Sequence, residues 1–415
     1  MNRLQFQSAV SALVLIAGFP QIAASQAFDP ATVRMSISAD TPAFTPMRFG
    51  AKADASGDDT AALNAMYAAA RTAAAVVFLR GGRYRVSGQI DARGVRTIGE
   101  GATLDFALDS ATSPNAFLWG GLNTFVTEVN FKLANSGSGT MQGVLNPVNN
   151  VQDERFYGNS VECVTRDKSN AKSNIFGLWV TGTGLNGLYV NDNEFYGCTY
   201  GVQINSQNGL QQSVRANPLG KPSSHIHISN NTFVDATLGV NTPHILVSDV
   251  VIDGNIIEPA NLRLDLPLNV AHVNRLTVTG NVVTSNASSA NGTLHVEDAS
   301  GAVTITGNVV TVKGTNNGIQ VGVRPSVSHD APPTERVVIS GNHLAGPGGS
   351  VAETVGILMP DNGTVDTTVT GNYVADFKQC VNAVDRSTVS GNTLTRCSVP
   401  VKSEKSLTYT NTINE

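Results

Sequence analysis

The chain has few charged and few aromatic side chains. Of its 415 residues, 14% are charged and 6% are aromatic, and the net charge of −5 comes without any cluster of Lys or Arg. Proteins that bind nucleic acid carry a basic patch, so the composition argues against a nucleic-acid partner. No apolar run beyond residue 27 is long enough to cross a bilayer. With 40 glycines and little helical periodicity, the chain fits one long all-β repeat domain better than several compact domains.

A repeat is what the sequence does contain. An alternating apolar strand, a Gly-Asn corner and a second apolar pair recur in residues 276–283, 303–310 and 337–344. The corner asparagine returns at spacings of 20 to 38 residues, which is typical of solenoids. A tenth, degraded copy has its corner at Asn411. The nine clear corner positions are Asn159, Asn193, Asn231, Asn255, Asn281, Asn308, Asn342, Asn372 and Asn392.

The Gly-Asn pair suits a sharp corner between two strands, because Gly and Asn tolerate a positive φ better than other residues. When every coil turns at the same corner, the asparagine amides stack and can hydrogen-bond from one coil to the next. Strands that stack coil on coil in one direction form parallel sheets about 4.7–4.9 Å apart. The sequence therefore predicts an all-β fold, a single parallel β-helix of about ten or more coils with an asparagine ladder.

The first 27 residues have the features of a secretory signal peptide. Arg3 supplies a positive start, residues 9–19 form an apolar run too short for a membrane span, and residues 25–27 form a small-x-small cleavage site. We expect this segment to be removed, so the protein is predicted to be secreted or periplasmic. Residues 28–47 hold three prolines and no periodicity, and they are interpreted as a linker.

Residues 48–106 differ from the repeats that follow. Asp58, Asp59 and Thr60 form a helix N-cap signal before an alanine-rich run, and capping explains both carboxylates without a catalytic role. We expect this helix to cap the N-terminal end of the solenoid, since an open end exposes core and unpaired strand edges. Residues 48–106 are thus the predicted cap and first coils, and residues 107–415 the predicted parallel β-helix.

The four cysteines lie shortly after corners. Neighbouring coils bring stacked Cα atoms about 5 Å apart, which is within the disulfide range. The favoured pairs are Cys163 with Cys198 and Cys380 with Cys397. The alternative is four buried free thiols, which a solenoid core accepts readily.

Motifs in the opening segment resemble a known family. The strings FGAKAD, DDTAAL, VVFLRGGRYRVSG and TIGEGATLDF are similar to the start of the pectate-lyase superfamily, which includes polysaccharide lyases, hydrolases, epimerases and phage tailspikes. Residues 52–55 and Arg80 depart from the usual Lys-Gly-Asp-Gly and Pro. The resemblance implies a right-handed parallel β-helix and, for an exported protein, a polysaccharide as substrate.

Each coil carries another short strand after its corner, with an apolar-polar-apolar pattern. Alternation along a strand points the apolar residues inward, and it points the middle residue and the one after the trio outward. The first outward column is predicted to contain Gln203, Gly239, Arg263, His295, Gln320 and Leu358. The second is predicted to contain Asn205, Asn241, Asp265, Glu297, Gly322 and Pro360.

Titratable side chains concentrate on two adjacent coils of this face. Arg263 and Asp265 are predicted to lie beside His295 and Glu297. Functional groups often come from several repeats of a rigid scaffold. The alternative is a solvated sheet surface on which Arg263 and Glu297 merely form a cross-strand ion pair. The predicted substrate contacts are Gln203, Asn205, Asn241, Gln320 and Arg324.

A lyase acting on a uronic-acid polysaccharide is the first interpretation. β-Elimination needs a base for the proton next to the carboxylate and a cation that stabilises the developing enolate. Arg263 would bind the uronate carboxylate and His295 would be the base. Asp265 or Glu297 would orient the imidazole. Alternatively, Asp265, Glu297 and Asp298 would hold Ca²⁺, which takes oxygen ligands and would neutralise the uronate.

Two other interpretations stay open. In a glycoside hydrolase, Asp265 and Glu297 would be the acid and its partner, roughly 5 Å apart on adjacent coils, and an epimerase would use the same face. In a non-catalytic glycan-binding surface protein, this face would bind a glycan or merely be solvated. Trimers occur among tailspike-like relatives, and the sequence leaves open whether the protein is a monomer or a homotrimer.

Overall fold

Alternating apolar and polar residues build three long parallel sheets. The structure is a computed structural model. It describes residues 41–165, 175–204, 221–241, 247–258, 266–289, 291–297, 299–322, 334–348, 353–360, 364–384, 386–403, 407–408 and 410–414. Sheets A and B contain 14 strands each and sheet C contains 12, and the chain visits A, B and C in turn. This confirms the predicted right-handed parallel β-helix of ten or more coils.

The strands of each sheet follow one another along the solenoid. Sheet A consists of Ala43–Phe44, Val76–Phe78, Arg96–Ile98, Phe125–Thr127, Gln152–Tyr157, Asn186–Asn191, Ser223–Ser229, Val247–Asp253, Val273–Thr279, Ser300–Thr306, Thr334–Ser340, Thr364–Thr370, Ser387–Ser390 and Leu407–Thr408. Sheet B consists of Asp54–Asp58, Arg83–Val86, Thr103–Leu108, Asn130–Asn135, Ser160–Thr165, Glu194–Tyr196, Thr232–Val234, Ile256–Glu258, Val282–Ser285, Val309–Val312, His343–Ala345, Tyr373–Ala375, Thr393–Thr395 and Thr412–Asn414. Sheet C consists of Ile90–Asp91, Asn115–Leu118, Met141–Asn146, Ile175–Val180, Tyr200–Ile204, Thr237–Asn241, Leu268–Ala271, Gly292–Glu297, Asn317–Val321, Val355–Leu358, Gln379–Ala383 and Val399–Ser403.

Inward side chains fill one continuous apolar core between the sheets. Equivalent residues stack from coil to coil, as Val250, Leu276, Val303 and Val337 do in sheet A. All four are buried. Because apolar burial is the main stabilising contribution, this like-on-like stacking holds each coil to the next.

The predicted asparagine ladder is present at the corner between sheets A and B. Asn281 shows the repeating pattern: its Nδ2 donates to the Asn308 Oδ1 on the next coil at 2.9 Å and to the Ile252 carbonyl at 3.0 Å. Its Oδ1 accepts the backbone N–H and the Nδ2 of Asn255. The same bonds link successive corners from Asn159 to Asn411, so the degraded tenth corner also joins the ladder.

The predicted helical cap is also present. Helix α1 (Thr60–Thr72) buries Leu63, Met66, Tyr67 and Ala70 in the core. The Tyr67 ring packs edge-on against the core residue Phe117, with ring centroids 5.9 Å apart. A short 3-10 helix, Pro46–Phe49, precedes it.

The predicted position of the α1 N-cap is confirmed, but the hydrogen bonds of the capping carboxylates differ from those expected. Asp59 is the N-cap residue, but its carboxylate accepts the backbone N–H of Lys52 at 2.8 Å and makes no hydrogen bond to the helix. Asp58 accepts the Thr60 N–H at 3.1 Å and the Ser87 hydroxyl at 2.6 Å. Burial alone would raise the pKa of Asp58, but hydrogen bonds from Ser87 and Thr60 outweigh it and lower the pKa to about 2. Both carboxylates therefore have structural roles.

Both predicted disulfides form between neighbouring coils. Cys163 bonds to Cys198 with Cα atoms 4.9 Å apart, and Cys380 bonds to Cys397 with Cα atoms 5.7 Å apart. The alternative of four free thiols is therefore wrong.

A second column of left-handed residues, early in the strands of sheet A, was not foreseen from the sequence. Asp249 and Arg275 pair in register there with φ of 57° and 60°, although neither is Gly or Asn. Their side chains form a bidentate ion pair, with Nε to Oδ1 at 2.6 Å. Asp366 and Arg386 repeat the arrangement four strands later. Charged pairs thus occupy positions at which L-residues are strained.

The predicted signal peptide 1–27 and most of the predicted linker 28–47 lie outside the described residues. The end of that linker contributes the strand Ala43–Phe44, which pairs with Val76 and Val77. Within the described ranges, no helix is long and apolar enough to cross a membrane.

Candidate functional site

The candidate site lies on the outer face of sheet C. On the strand Gly292–Glu297, Leu294 and Val296 belong to the core, so the alternating residue His295 points away from it. Register then defines an outer column, one residue per strand. The outer column consists of Asp91, Leu118, Leu145, Trp179, Gln203, Gly239, Asn269, His295, Gln320, Leu358, Asn382 and Lys402.

The register corrects one predicted strand. The strand before His295 is Leu268–Ala271, with Asn269 opposite His295 and Ala271 opposite Glu297. The prediction that residues 262–264 form this strand, with Arg263 and Asp265 in the two columns, was therefore wrong. The stretch 268–270 has the same apolar-polar-apolar pattern, and only pairing between strands distinguishes the two.

Several predicted site residues lie outside the described part of the chain. These are Arg263, Asp265, Asn205, Asp298 and Arg324. The roles predicted for them therefore stay predictions. The backbone of Asn241 ends the strand Thr237–Asn241 and pairs with Ala271.

The four polar residues in the middle of the outer column are buried, which the sequence did not predict. Gln203 is 4% exposed, Asn269 6%, His295 5% and Gln320 1%. They point away from the core and yet are shielded from solvent. The alternative of a solvated sheet surface does not fit these values.

The amide side chains of the column offer unsatisfied acceptors. The buried oxygens Gln203 Oε1, Asn269 Oδ1 and Gln320 Oε1 have no hydrogen-bond partner among the described residues. A buried acceptor without a donor costs about 1–3 kcal/mol, so such groups in a row call for an explanation. Hydroxyl groups of a bound ligand would satisfy them.

Gly239 leaves room for one of these amides. A Cβ atom at Gly239 would lie 2.2 Å from Gln203 Oε1 and 3.0 Å from a ring carbon of Tyr200. Gln203 and Tyr200 therefore extend across the glycine. The space that a side chain would fill at this point is taken by these two neighbours.

The predicted pair of titratable residues is brought together. His295 Nε2 lies 3.7 Å from Glu297 Oε2, and the two side chains are 6% and 25% exposed. They belong to one strand and leave it on the same face, since they are two residues apart. An imidazole can exchange a proton near neutral pH, and a nearby carboxylate stabilises the imidazolium that results. The arrangement can therefore perform general acid–base chemistry.

An aromatic cluster lies beside the amides. The sequence alone marks Trp179 as an outward residue that could stack on a sugar ring, whereas Phe176 and Tyr200 were overlooked. Phe176 contacts Trp179 edge-on with ring centroids 4.9 Å apart, and it contacts Tyr200 likewise at 5.2 Å. Trp179 pairs directly with Gln203 in the outer column. Phe176 and Tyr200 alternate with glycine and aliphatic residues and could have been read as core, so the sequence carried no clear signal for these two.

The calcium prediction stays a prediction. Of its three proposed ligands, only Glu297 is described, and Ala271 is its partner on the preceding strand. Within the described ranges no group of three or more His, Cys, Asp or Glu is placed to hold a metal ion. Ca²⁺ takes six to eight oxygen ligands, so Glu297 alone would not hold it.

The fold and the match to a family model define the class of protein. A right-handed parallel β-helix with this opening segment is a pectate-lyase-like protein. The chain belongs to the family described as rhamnogalacturonase A/epimerase, pectate lyase-like, which matches residues 47–261, just over half of its length. No curated protein sequence matches the chain.

Solved structures of low sequence identity share the fold. The A-module of a mannuronan C-5 epimerase from Azotobacter vinelandii has 17% identity and a TM-score of 0.51, covering 89% of this chain and 99% of that one. The surface adhesin PfbA of Streptococcus pneumoniae has 11% identity and a TM-score of 0.51, covering 89% and 91%. An exopolygalacturonase from Thermotoga maritima has 12% identity and a TM-score of 0.43, covering 90% and 91%. These similarities support the fold alone.

Proposed function

We propose that the protein is an exported enzyme that cleaves an acidic, uronic-acid-containing polysaccharide by β-elimination, with His295 as the base. One observation carries the proposal: a buried imidazole lies beside a carboxylate, between two buried amides on a face that points away from the core. Family membership supports a polysaccharide as the substrate class.

The proposed reaction begins with transfer of the proton next to the uronate carboxylate to His295. The electron pair left behind forms the double bond as the glycosidic oxygen two atoms away departs, and that oxygen then takes up a proton. The Glu297 carboxylate stabilises the imidazolium during this step. Asn269 and Gln320, on the strands before and after His295, are placed to hold the sugar by hydrogen bonds. Arg263 remains the proposed partner of the uronate carboxylate.

Elimination is proposed before hydrolysis because the described residues supply an imidazole with one carboxylate, which suits proton abstraction. The hydrolase interpretation needs two carboxylates on adjacent strands, and Ala271 is the residue paired with Glu297. An epimerase would use the same proton transfer but return a proton from the other side of the sugar. The product therefore distinguishes elimination from epimerisation.

Export is part of the proposal and rests on two features. Residues 1–27 have the pattern of a signal peptide. The chain also forms two disulfides, Cys163–Cys198 and Cys380–Cys397, and structural disulfides persist in oxidising compartments.

The proposal is tested by incubating the purified protein with polygalacturonate, polymannuronate and other acidic polysaccharides, with and without Ca²⁺. We expect the ultraviolet absorbance of an unsaturated uronate to rise on at least one polymer. His295→Gln should lower kcat by about a hundredfold or more, because general-base catalysis contributes at least that much.

His343→Gln is the matched control, because this exposed histidine lies on sheet B, where its ring packs against that of Tyr373. It should retain wild-type activity. Reducing ends without unsaturation would replace elimination by hydrolysis, and a changed uronate without cleavage would replace it by epimerisation. Activity that survives in His295→Gln would remove His295 from the mechanism.

A further inference from the structure

We infer that the aromatic cluster Phe176, Trp179 and Tyr200, with the neighbouring amides Asn115 and Gln142, forms a second binding site that stacks a sugar ring of the same polymer. The inference rests on the proposed function, because it takes the ligand to be the polysaccharide on which His295 acts. We call these five residues the aromatic platform.

The aromatic platform is continuous with the amide column. Trp179 pairs with Gln203, and Phe176 pairs with Tyr200 on the same two strands. Gln203 and Tyr200 both extend over Gly239. Gly239 pairs with Asn269, and Asn269 pairs with His295. A polysaccharide that lies along the outer face of sheet C, parallel to the solenoid axis, would therefore contact both the aromatic platform and His295.

The apolar residues that surround the aromatic platform are separate from the core. Leu118, Leu145 and Trp179 form their own buried cluster on the outer face, and the half-buried Phe176 packs against it. The chain has only two tryptophans, and the other, Trp119, lies inside the core. The two leucines precede Trp179 in the outer column and pack against its indole, which holds the ring in place for contact with a ligand.

Amides border the aromatic rings. Gln142 pairs with Phe176, and Asn115 pairs with Gln142 on the strand before it. Asn115 Oδ1 is buried and has no hydrogen-bond partner among the described residues. A pyranose ring has an apolar face of C–H groups and a rim of hydroxyls, so it matches rings next to amide acceptors. The alkyl chain of a lipid has no hydrogen-bond donor and would leave the amides unsatisfied.

The separation between the two sites predicts a dependence on chain length. The platform strand Ile175–Val180 and the His295 strand Gly292–Glu297 are four steps apart in sheet C. At 4.7–4.9 Å per step, this is roughly 19 Å. A disaccharide bound at His295 cannot reach the platform, whereas a long polymer contacts both.

The test compares Phe176→Ala with the wild type on a long polymer and on a short oligosaccharide of the same sugar. On the polymer we expect KM to rise roughly tenfold with kcat unchanged, since aromatic stacking contributes about that factor. On the short substrate, KM and kcat should both stay the same. Tyr373→Ala, on the outer face of sheet B, is the control and should change neither. A misfolded variant would lose activity on both substrates, which separates it from the expected result.

A binding measurement makes the result independent of turnover. Native gels containing polygalacturonate, polymannuronate or hydroxyethyl cellulose are run with His295→Gln alone and combined with Phe176→Ala or Trp179→Phe. We expect at least one polymer to retard His295→Gln, and Phe176→Ala to weaken retardation roughly tenfold while Trp179→Phe retains most of it. Equal retardation with and without Phe176→Ala overturns the platform and leaves the proposed function intact. No retardation by any polymer, with no turnover, overturns both.

Discussion

Asn281→Ala is expected to lower the free energy of unfolding by about 4 kcal/mol. The side chain is fully buried at the centre of the ladder. Its removal leaves the backbone N–H and one of the two Nδ2 hydrogens of Asn255 without an acceptor, and it leaves the Ile252 carbonyl without the Asn281 donor. Each buried group that loses its partner costs about 1–3 kcal/mol, and the cavity adds to this.

The measurement is urea denaturation of both proteins, together with hydrogen exchange of the Asn255 amide. Because a solenoid unfolds in part coil by coil, the local probe shows whether the effect lies at the corner. Exchange at Asn255 should become faster, since its amide donates directly to the Asn281 side chain at 3.0 Å.

Asn411→Ala is the matched control at the end of the ladder. Asn411 accepts the same two bonds from Asn392, but it is only half-buried, so water can replace it. We expect a loss of about 1 kcal/mol, because an exposed hydrogen bond contributes little net stability. Equal losses at Asn281 and Asn411 would mean that the ladder is not what stabilises the corner.

The ladder explains why the fold could be predicted. A Gly-Asn corner is a local signal, because it reports one backbone conformation and recurs once in each coil. The disulfides followed from the same reasoning, since consecutive coils bring Cys163 near Cys198 and Cys380 near Cys397. The helical cap was visible from its capping residues, although the Asp59 carboxylate binds the preceding loop.

The candidate site was predicted less completely, because register is not local. Residues 262–264 and 268–270 show the same alternation, and hydrogen bonding between strands selects the second. Pairing of His295 with Glu297 was predictable because both lie on one strand. The burial of the four polar residues in the middle of the outer column was not predictable, since exposure depends on what surrounds a strand and not on its own sequence.

Glu154 is a further feature that the sequence did not reveal. It pairs in register with Leu188 and is fully buried on the inward side of sheet A, in a column that apolar residues fill on later coils. Its carboxyl group accepts the Gly121 N–H at 2.6 Å and the Asn146 Nδ2 at 2.9 Å. Burial raises the pKa of Glu154 to about 7, although both hydrogen bonds act in the opposite direction.

This pKa predicts that stability falls as the pH rises. Below pH 4.5, the ordinary value for this group, Glu154 is protonated in both states and contributes no pH dependence. Between pH 4.5 and about 7 the unfolded chain releases its proton while the folded protein keeps it, so ionisation favours unfolding. The expected loss is about 3 kcal/mol over this range, and above it both states are ionised.

Glu154→Gln should remove this contribution, because the amide does not titrate. The variant is compared with the wild type by urea denaturation at pH 4.5 and pH 8. We expect its stability relative to the wild type to rise by about 3 kcal/mol between the two, even where its absolute stability is lower. Comparing the two proteins cancels the contributions of the other titrating groups, including His227, whose pKa is lowered by burial and by His225.

Glu162→Gln, at an exposed position near Lys132, is the control and should show no such rise. A constant difference between Glu154→Gln and the wild type across this range would show that the buried carboxyl group does not titrate there.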